Sequence, residues 1–184
     1  MSLVLQYSLK IKIFQPKIVI VQLFLIVAGP RAPFPNLRNM TRKATEADFD
    51  FVYGLYMHPQ VNPFLLYEPM DRERFRQVYR ELLSAGVKYV FEPGGIAVGM
   101  FKLIPLTHRT SHVAYLGGLA IHPAMSGKGF GQQMLLQAIS LARQEGFLRI
   151  ELSTSTNNER AIRLYERCGF SQEGILRKYS YLKS

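Results

Sequence analysis

From Met40 onward, the apolar positions of the chain switch repeatedly between a period of two and a period of three to four, the marks of strand and helix. Residues 41–44 read as a short strand. Thr45 and Asp48 then form a T-x-x-D signature for a helix N-terminus, and Phe49, Val52, Tyr53 and Tyr56 share one face of the ensuing helix. Residues 58–69 contain three prolines and read as a loop. Asp71 opens a second helix with an apolar stripe of Phe75, Val78, Tyr79, Leu82 and Leu83, which Gly86 ends. Residues 89–92 and 96–104, joined by Pro93-Gly94-Gly95, predict a hairpin. A third strand over residues 112–121 would lie antiparallel beside it. Gly117-Gly118 in its middle predicts a bulge or a close backbone approach. Met134, Leu135, Ala138, Leu141 and Ala142 give a third helix ending at Gly146. Residues 149–153 read as a buried strand, parallel to the one before by the right-handed crossover rule, and residues 158–168 as a fourth helix. A final strand begins at Phe170. The pattern is that of an α/β (α+β) domain with a mixed, mostly antiparallel sheet and about four helices.

Residues 1–39 differ in character from the rest of the chain. Residues 18–29 are apolar except for Gln22, lie downstream of Lys10, Lys12 and Lys17, and fall short of the ~20 residues a membrane span needs. Pro30, Pro33 and Pro35 form a stiff linker. Three readings stand: a signal or anchor, an extra strand packed on the domain, or sequence upstream of the natural start.

The chemistry concentrates in residues 119–131, LAIHPAMSGKGFG. A strand-like run ends at His122-Pro123, and Gly127, Gly129 and Gly131 alternate just before a helix. Bare backbone N–H groups and a helix N-terminus form a site for anionic phosphate. The spacing G-x-G-x-G is neither the dinucleotide fingerprint nor the P-loop. A second stretch, residues 158–170, reads NERAIRLYERCGF. Asn158 suits a helix N-cap, and Tyr165 lies about two turns on, so both can face one groove.

Together these stretches resemble the GCN5-related N-acetyltransferase (GNAT) superfamily over roughly residues 40–181. The family binds the pyrophosphate of acetyl-CoA through Q/R-x-x-G-x-G/A, and carries N-x-x-A-x-x-L-Y-x-x-x-G-F on a later helix. Asn158, Ala161, Leu164, Tyr165, Gly169 and Phe170 match the second motif. Ser126 stands at the Q/R position, and Lys128 is the neighbouring cation that would restore the charge. The resemblance implies a V-shaped split between the family's fourth and fifth strands, here residues 112–121 and 149–153, which accepts the pantetheine arm. It assigns cofactor binding to Leu119, Ala120, Ile121, Ser126, Gly127, Lys128, Gly129, Phe130, Gly131, Asn158 and Tyr165. Tyr165 would be the general acid for the leaving thiolate, since a phenol of pKa near 10 stays neutral at pH 7. His112, Tyr115 and Glu151 are candidate bases, with His112 preferred because histidine titrates near neutrality. Family members usually continue with a further strand, read here as missing: either the sequence is cut short, or the N-terminal segment or a second subunit fills its place. Family members often begin much like Met40-Thr41-Arg42-Lys43-Ala44-Thr45, which favours Met40 as the start and an acetyltransferase domain over residues 40–184.

Composition narrows the picture further. With 184 residues and 48% hydrophobic content, one domain with a real core is expected. The single cysteine, Cys168, excludes an intramolecular disulfide and fits a reducing, cytoplasmic setting. The four histidines are scattered, so no metal site is expected. The net charge of +10 is inflated by residues 1–39, which hold five of the 23 basic side chains and no acid, so nucleic-acid binding is not expected. The expected partners are acetyl-CoA and a small-molecule amine, with a homodimer suggested by the family alone. An amino acid is the favoured acceptor; a polyamine, which would want carboxylates such as Glu46, Asp48, Asp50, Glu68, Asp71 and Glu73, and a ribosomal-protein N-terminus are alternatives. A CoA-binding module without turnover, or an inactive fragment, is the contrasting class.

Overall fold

A run as rich in β-branched residues as Ile18–Phe24, IVIVQLF, is a strong strand former. In the computed structural model, which describes residues 18–24, 40–177 and 179, it enters the central sheet as β1. The sheet also contains β2 (Thr41–Lys43), β3 (Lys88–Phe91), β4 (Gly99–Pro105), β5 (Val113–Ile121), β6 (Arg149–Ser155) and β7 (Ser171–Leu176), in the order β2-β3-β4-β5-β6-β1-β7. β1 pairs antiparallel with β6 on one side and β7 on the other, Ile20 facing both Ser153 and Gly174. An N-terminal strand therefore stands where the sequence reading left a place for a last strand. Of the three readings of the N-terminal segment, the structure shows the added strand for these seven residues. The preference for Met40 as the start did not anticipate it. The rest of the apolar run, the proline linker and the expected end of the final strand at residues 180–181 lie outside the described residues.

The other pairings are antiparallel except β5 with β6. Four α-helices cover the sheet: α1 (Phe49–Tyr56), α2 (Arg72–Ser84), α3 (Phe130–Gln144) and α4 (Glu159–Arg167). Alternation along the strands divides the core in two. Tyr89, Phe91, Phe101 and Leu103 pack with Met134, Leu135 and Ala138 of α3 and with Tyr165 of α4. Val90 and Met100, one residue out of phase, pack with Phe49, Val52 and Tyr56 of α1 and Phe75 and Tyr79 of α2.

The start of α1 is held by the predicted signature. Both the Thr45 N–H and its hydroxyl donate to Asp48 Oδ2, at 2.8 and 3.0 Å. Asp48 in turn accepts two hydrogen bonds from Arg42 of β2, at 2.7 and 2.8 Å, tying the helix entry to the edge of the sheet.

The Gly117-Gly118 pair makes the predicted bulge. Met100 faces Ala120 but Lys102 faces Gly117, so β5 carries one extra residue there. The extra residue flips the faces. Ala114 and Leu116 point to the α3 side, whereas Ala120 joins the α1–α2 side. Gly118 has φ +56°, a conformation a side chain resists.

Candidate active site

β5 and β6 pair only from Val113–Arg149 to Tyr115–Glu151. Beyond that point they part, and residues 116–121 lose their strand neighbour on this edge. The gap between them is the predicted split. It opens into two cavities of about 410 and 420 Å³, which share Leu119, Asn158, Ala161 and Leu164 along their common wall.

The second cavity is walled by Leu119, Ala120, Ile121, Ser126, Gly127, Gly129 and Gly131. Gly127 and Gly129 both have φ +82°, the left-handed values that let this turn lead directly into α3. The N–H groups of residues 127–131 have no hydrogen-bond acceptor among the described residues. Five successive bare donors at the start of a fifteen-residue helix are a ready seat for a phosphate-bearing group. Ser126 uses its own N–H on the carbonyl of Pro123, at 3.0 Å, so its hydroxyl is what it offers the cavity.

Two of the expected residues turn elsewhere. Lys128 is exposed, with Nζ 3.6 Å from the Met125 sulfur, and does not line the cavity. Phe130 packs edge-on against Phe91, its ring centroid 6.3 Å away, and braces the helix start from the core side. The cations that do line the cavity are Arg160 and Arg167 on α4, seven residues and about two turns apart. Neither has a carboxylate partner among the described residues. The sequence reading missed them because Arg160 occupies an unspecified position of the second motif. Their helical spacing was the signal available.

Asn158 caps α4, its Oδ1 accepting the Ala161 N–H at 3.3 Å, and borders both cavities. Tyr165 lies two turns further on, buried in the first cavity, its ring tilted against Phe170 at 5.9 Å. Its hydroxyl has no hydrogen-bond partner among the described residues. Burial, reinforced by the nearby Tyr115 phenol, pushes its pKa well above the usual phenol range. The group is a proton holder across neutral and moderately alkaline pH.

Tyr56, Tyr67, Lys102, Tyr115 and Ser153 complete the first cavity. Tyr115 and Ser153 join hydroxyls at 2.7 Å across the mouth of the split. Tyr56, Tyr67 and Lys102 escaped the sequence reading because their elements, α1, a loop and β4, converge only in three dimensions. The preferred base, His112, is not brought here. It lies exposed just before β5, where its carbonyl accepts the N–H groups of Leu148 and Arg149, and it lines neither cavity. Glu151 lies at the last β5–β6 pair but is ion-paired to Arg149 at 3.1 Å. Cys168 is half-buried against the core, and burial raises its thiol pKa, as suits a packing residue. Among the described residues no helix is long and apolar enough to cross a membrane.

Comparison with known proteins agrees with this geometry. An uncharacterized N-acetyltransferase of Escherichia coli strain K12, YjgM, is 36% identical over 95 residues, 51% of this chain and 57% of its own length. The chain thus spans under two thirds of that relative. A spermidine N(1)-acetyltransferase of Vibrio cholerae is 26% identical over 146 residues, covering 75% of this chain and 82% of the relative. The crystal structure of the Vibrio cholerae spermidine N-acetyltransferase in complex with CoA and spermine superposes with a TM-score of 0.69 at 22% identity, over 78% of this chain and 86% of that one. A ribosomal-protein-alanine N-acetyltransferase from Brucella melitensis gives a TM-score of 0.64 at 24% identity, over 76% and 88%. The model of the acetyltransferase (GNAT) family matches residues 49–170, from the first residue of α1 through the end of the second motif, and the chain belongs to that family.

Proposed function

We propose that the protein transfers the acetyl group of acetyl-CoA to a primary amine of a small molecule, with an amino acid as the favoured acceptor. One observation carries the reading: a single groove has at one end five N–H groups, and at the other the hydroxyl of Tyr165, that have no hydrogen-bond partner among the described residues.

The residues fit the cofactor. The N–H groups of residues 127–131, the Ser126 hydroxyl and the guanidiniums of Arg160 and Arg167 suit its phosphates. The β5 edge at residues 119–121, freed from β6, suits an extended amide-bearing arm that pairs as an added strand would. Bound there, acetyl-CoA supplies an activated thioester. Fixed backbone N–H groups near the β5 bulge suit the charge that develops on the thioester oxygen, because they need no reorganisation. Tyr165 holds the proton that the departing sulfur requires. The acceptor amine enters through the first cavity, past Tyr67 and the Tyr115–Ser153 pair.

The test is thiol release from acetyl-CoA against a panel of amino acids, polyamines and peptide N-termini, with Tyr165→Phe alongside the wild type. Release with one amine class, reduced at least tenfold in kcat by the substitution, supports the reading. No release, with acetyl-CoA still raising the Tm, would replace it with a binding module that does not turn over.

A further inference from the structure

Two lysines meet at the acceptor end of the groove with no carboxylate bound to either among the described residues. Lys88 on β3 and Lys102 on β4 are directly opposed in the antiparallel ladder, and both lie on the α1–α2 face. Lys88 is 1% exposed, its Nζ 3.4 Å from the Tyr56 hydroxyl and 4.7 Å from that ring's centroid. Lys102 lines the first cavity, its Nζ 4.9 Å from the centroid of the Tyr67 ring. Its stem also runs close by Gly118, at the bulge where the split begins. Neither lysine makes an ion pair with a carboxylate among the described residues.

Such a pair is costly as it stands. Desolvation and mutual repulsion both disfavour two ammonium groups here, and the tyrosines offer only ring faces and a hydroxyl in compensation. An anion in the cavity beside Lys102 would relieve both penalties at once. Of the six acids weighed for a cationic acceptor, three are engaged elsewhere. Asp48 is bound to Arg42, Asp50 to Arg72, and Asp71 caps α2 by accepting the Arg74 N–H. Glu68, exposed at the rim, is the one carboxylate among the residues lining this cavity.

We infer that Lys102, backed by Lys88, sets acceptor specificity by holding a carboxylate of the substrate, so that the enzyme selects amines that carry an acid group over polyamines and simple alkylamines. This rests on the acetyltransferase reading and narrows its acceptor class. Lys102, Gly118 and Tyr165 line one cavity, so an acceptor held there by its carboxylate keeps its amine in the same cavity as the bulge and the Tyr165 phenol.

The experiment compares matched acceptors that differ only in the carboxylate, tyrosine against tyramine and leucine against isoamylamine, with spermidine as the cationic control. Thiol release would be followed in the wild type, Lys102→Met and Lys102→Arg. The wild type should favour the carboxylate member of each pair by at least tenfold in kcat/KM. Lys102→Met should bring that ratio close to one, and Lys102→Arg should keep most of it. A wild-type preference for tyramine or spermidine, or a Lys102→Met variant that loses rate equally on both members of each pair, would overturn the inference. Thermal stability with tyrosine and tyramine in the absence of acetyl-CoA gives an independent readout. If no acceptor is turned over, the acetyltransferase reading fails. Lys102-dependent stabilisation by tyrosine but not tyramine would still uphold carboxylate recognition, and equal or absent stabilisation would refute it.

Discussion

A Cβ added to Gly118 would fall 2.6 Å from the hydroxyl of Tyr56, closer than real side-chain atoms approach. Tyr56 cannot retreat, because it is 1% exposed and wedged between Phe75 and Tyr67, each with ring centroid 5.2 Å away. Gly118 also needs φ +56° to make the bulge that turns β5 from one sheet face to the other. Gly118→Ala should therefore cost about 2–4 kcal/mol, combining left-handed strain with overpacking. Urea unfolding would measure this. Acetyl transfer should fall with it, since the bulge borders the split. A variant as stable as the wild type would show that the bulge tolerates a side chain.

Asp48 makes stability sensitive to acid. Its hydrogen bonds from Arg42, followed by those from the Thr45 N–H and hydroxyl, hold its pKa below the ordinary value of 3.8 despite an opposing effect of burial. A carboxyl depressed in the folded state contributes stability that is present above its unfolded pKa and is lost as pH falls through the folded pKa. Asp48→Asn should lower stability by roughly 2 kcal/mol at pH 7, in keeping with loss of a charge-assisted pair. The gap to the wild type should shrink as pH falls below about 4. Chemical denaturation of both proteins from pH 7 to pH 2.5 would check it, and a gap that stayed constant would exclude Asp48 as the source.

Arg160 and Arg167 should carry the charge that Ser126 and the outward-turned Lys128 do not supply at the second cavity. Arg160→Ala and Arg167→Ala should each raise the KM for acetyl-CoA roughly three- to tenfold while leaving kcat near the wild-type value. The effect should weaken with added salt, because both side chains are exposed. Steady-state kinetics at 50 and 500 mM salt would measure it. Lys128→Ala, by contrast, should leave the KM little changed.

β1 should be essential to the sheet, because it is hydrogen-bonded along both edges. Val21→Pro removes a backbone donor from a strand with neighbours on each side and should cost about 3 kcal/mol or more. Val21→Thr, which keeps the donor and the β-branched shape, should cost far less. Comparing their Tm values would distinguish a structural strand from a dispensable extension, and equal Tm values would exclude the strand.

The two motifs were legible in the sequence because each is local. Glycine spacing before a helix dictates a bare turn at residues 127–131, and a seven-residue offset places Asn158 and Tyr165 on one side of α4, whatever the rest of the fold does. The capping signature at Thr45 and the bulge at Gly118 were readable for the same reason, since both depend on backbone preferences of adjacent residues. Tertiary structure alone decided the rest. Lys88 and Lys102 became neighbours through strand register, and Tyr56 and Tyr67 reached them through helix and loop packing, none of which a linear pattern contains. The same holds for His112, which the titration range of histidine recommended and the length of β5 carried out of the groove. The place of β1 is the clearest case. Its residues are strand formers by composition, but the slot between β6 and β7 exists only once the sheet around it has been assembled.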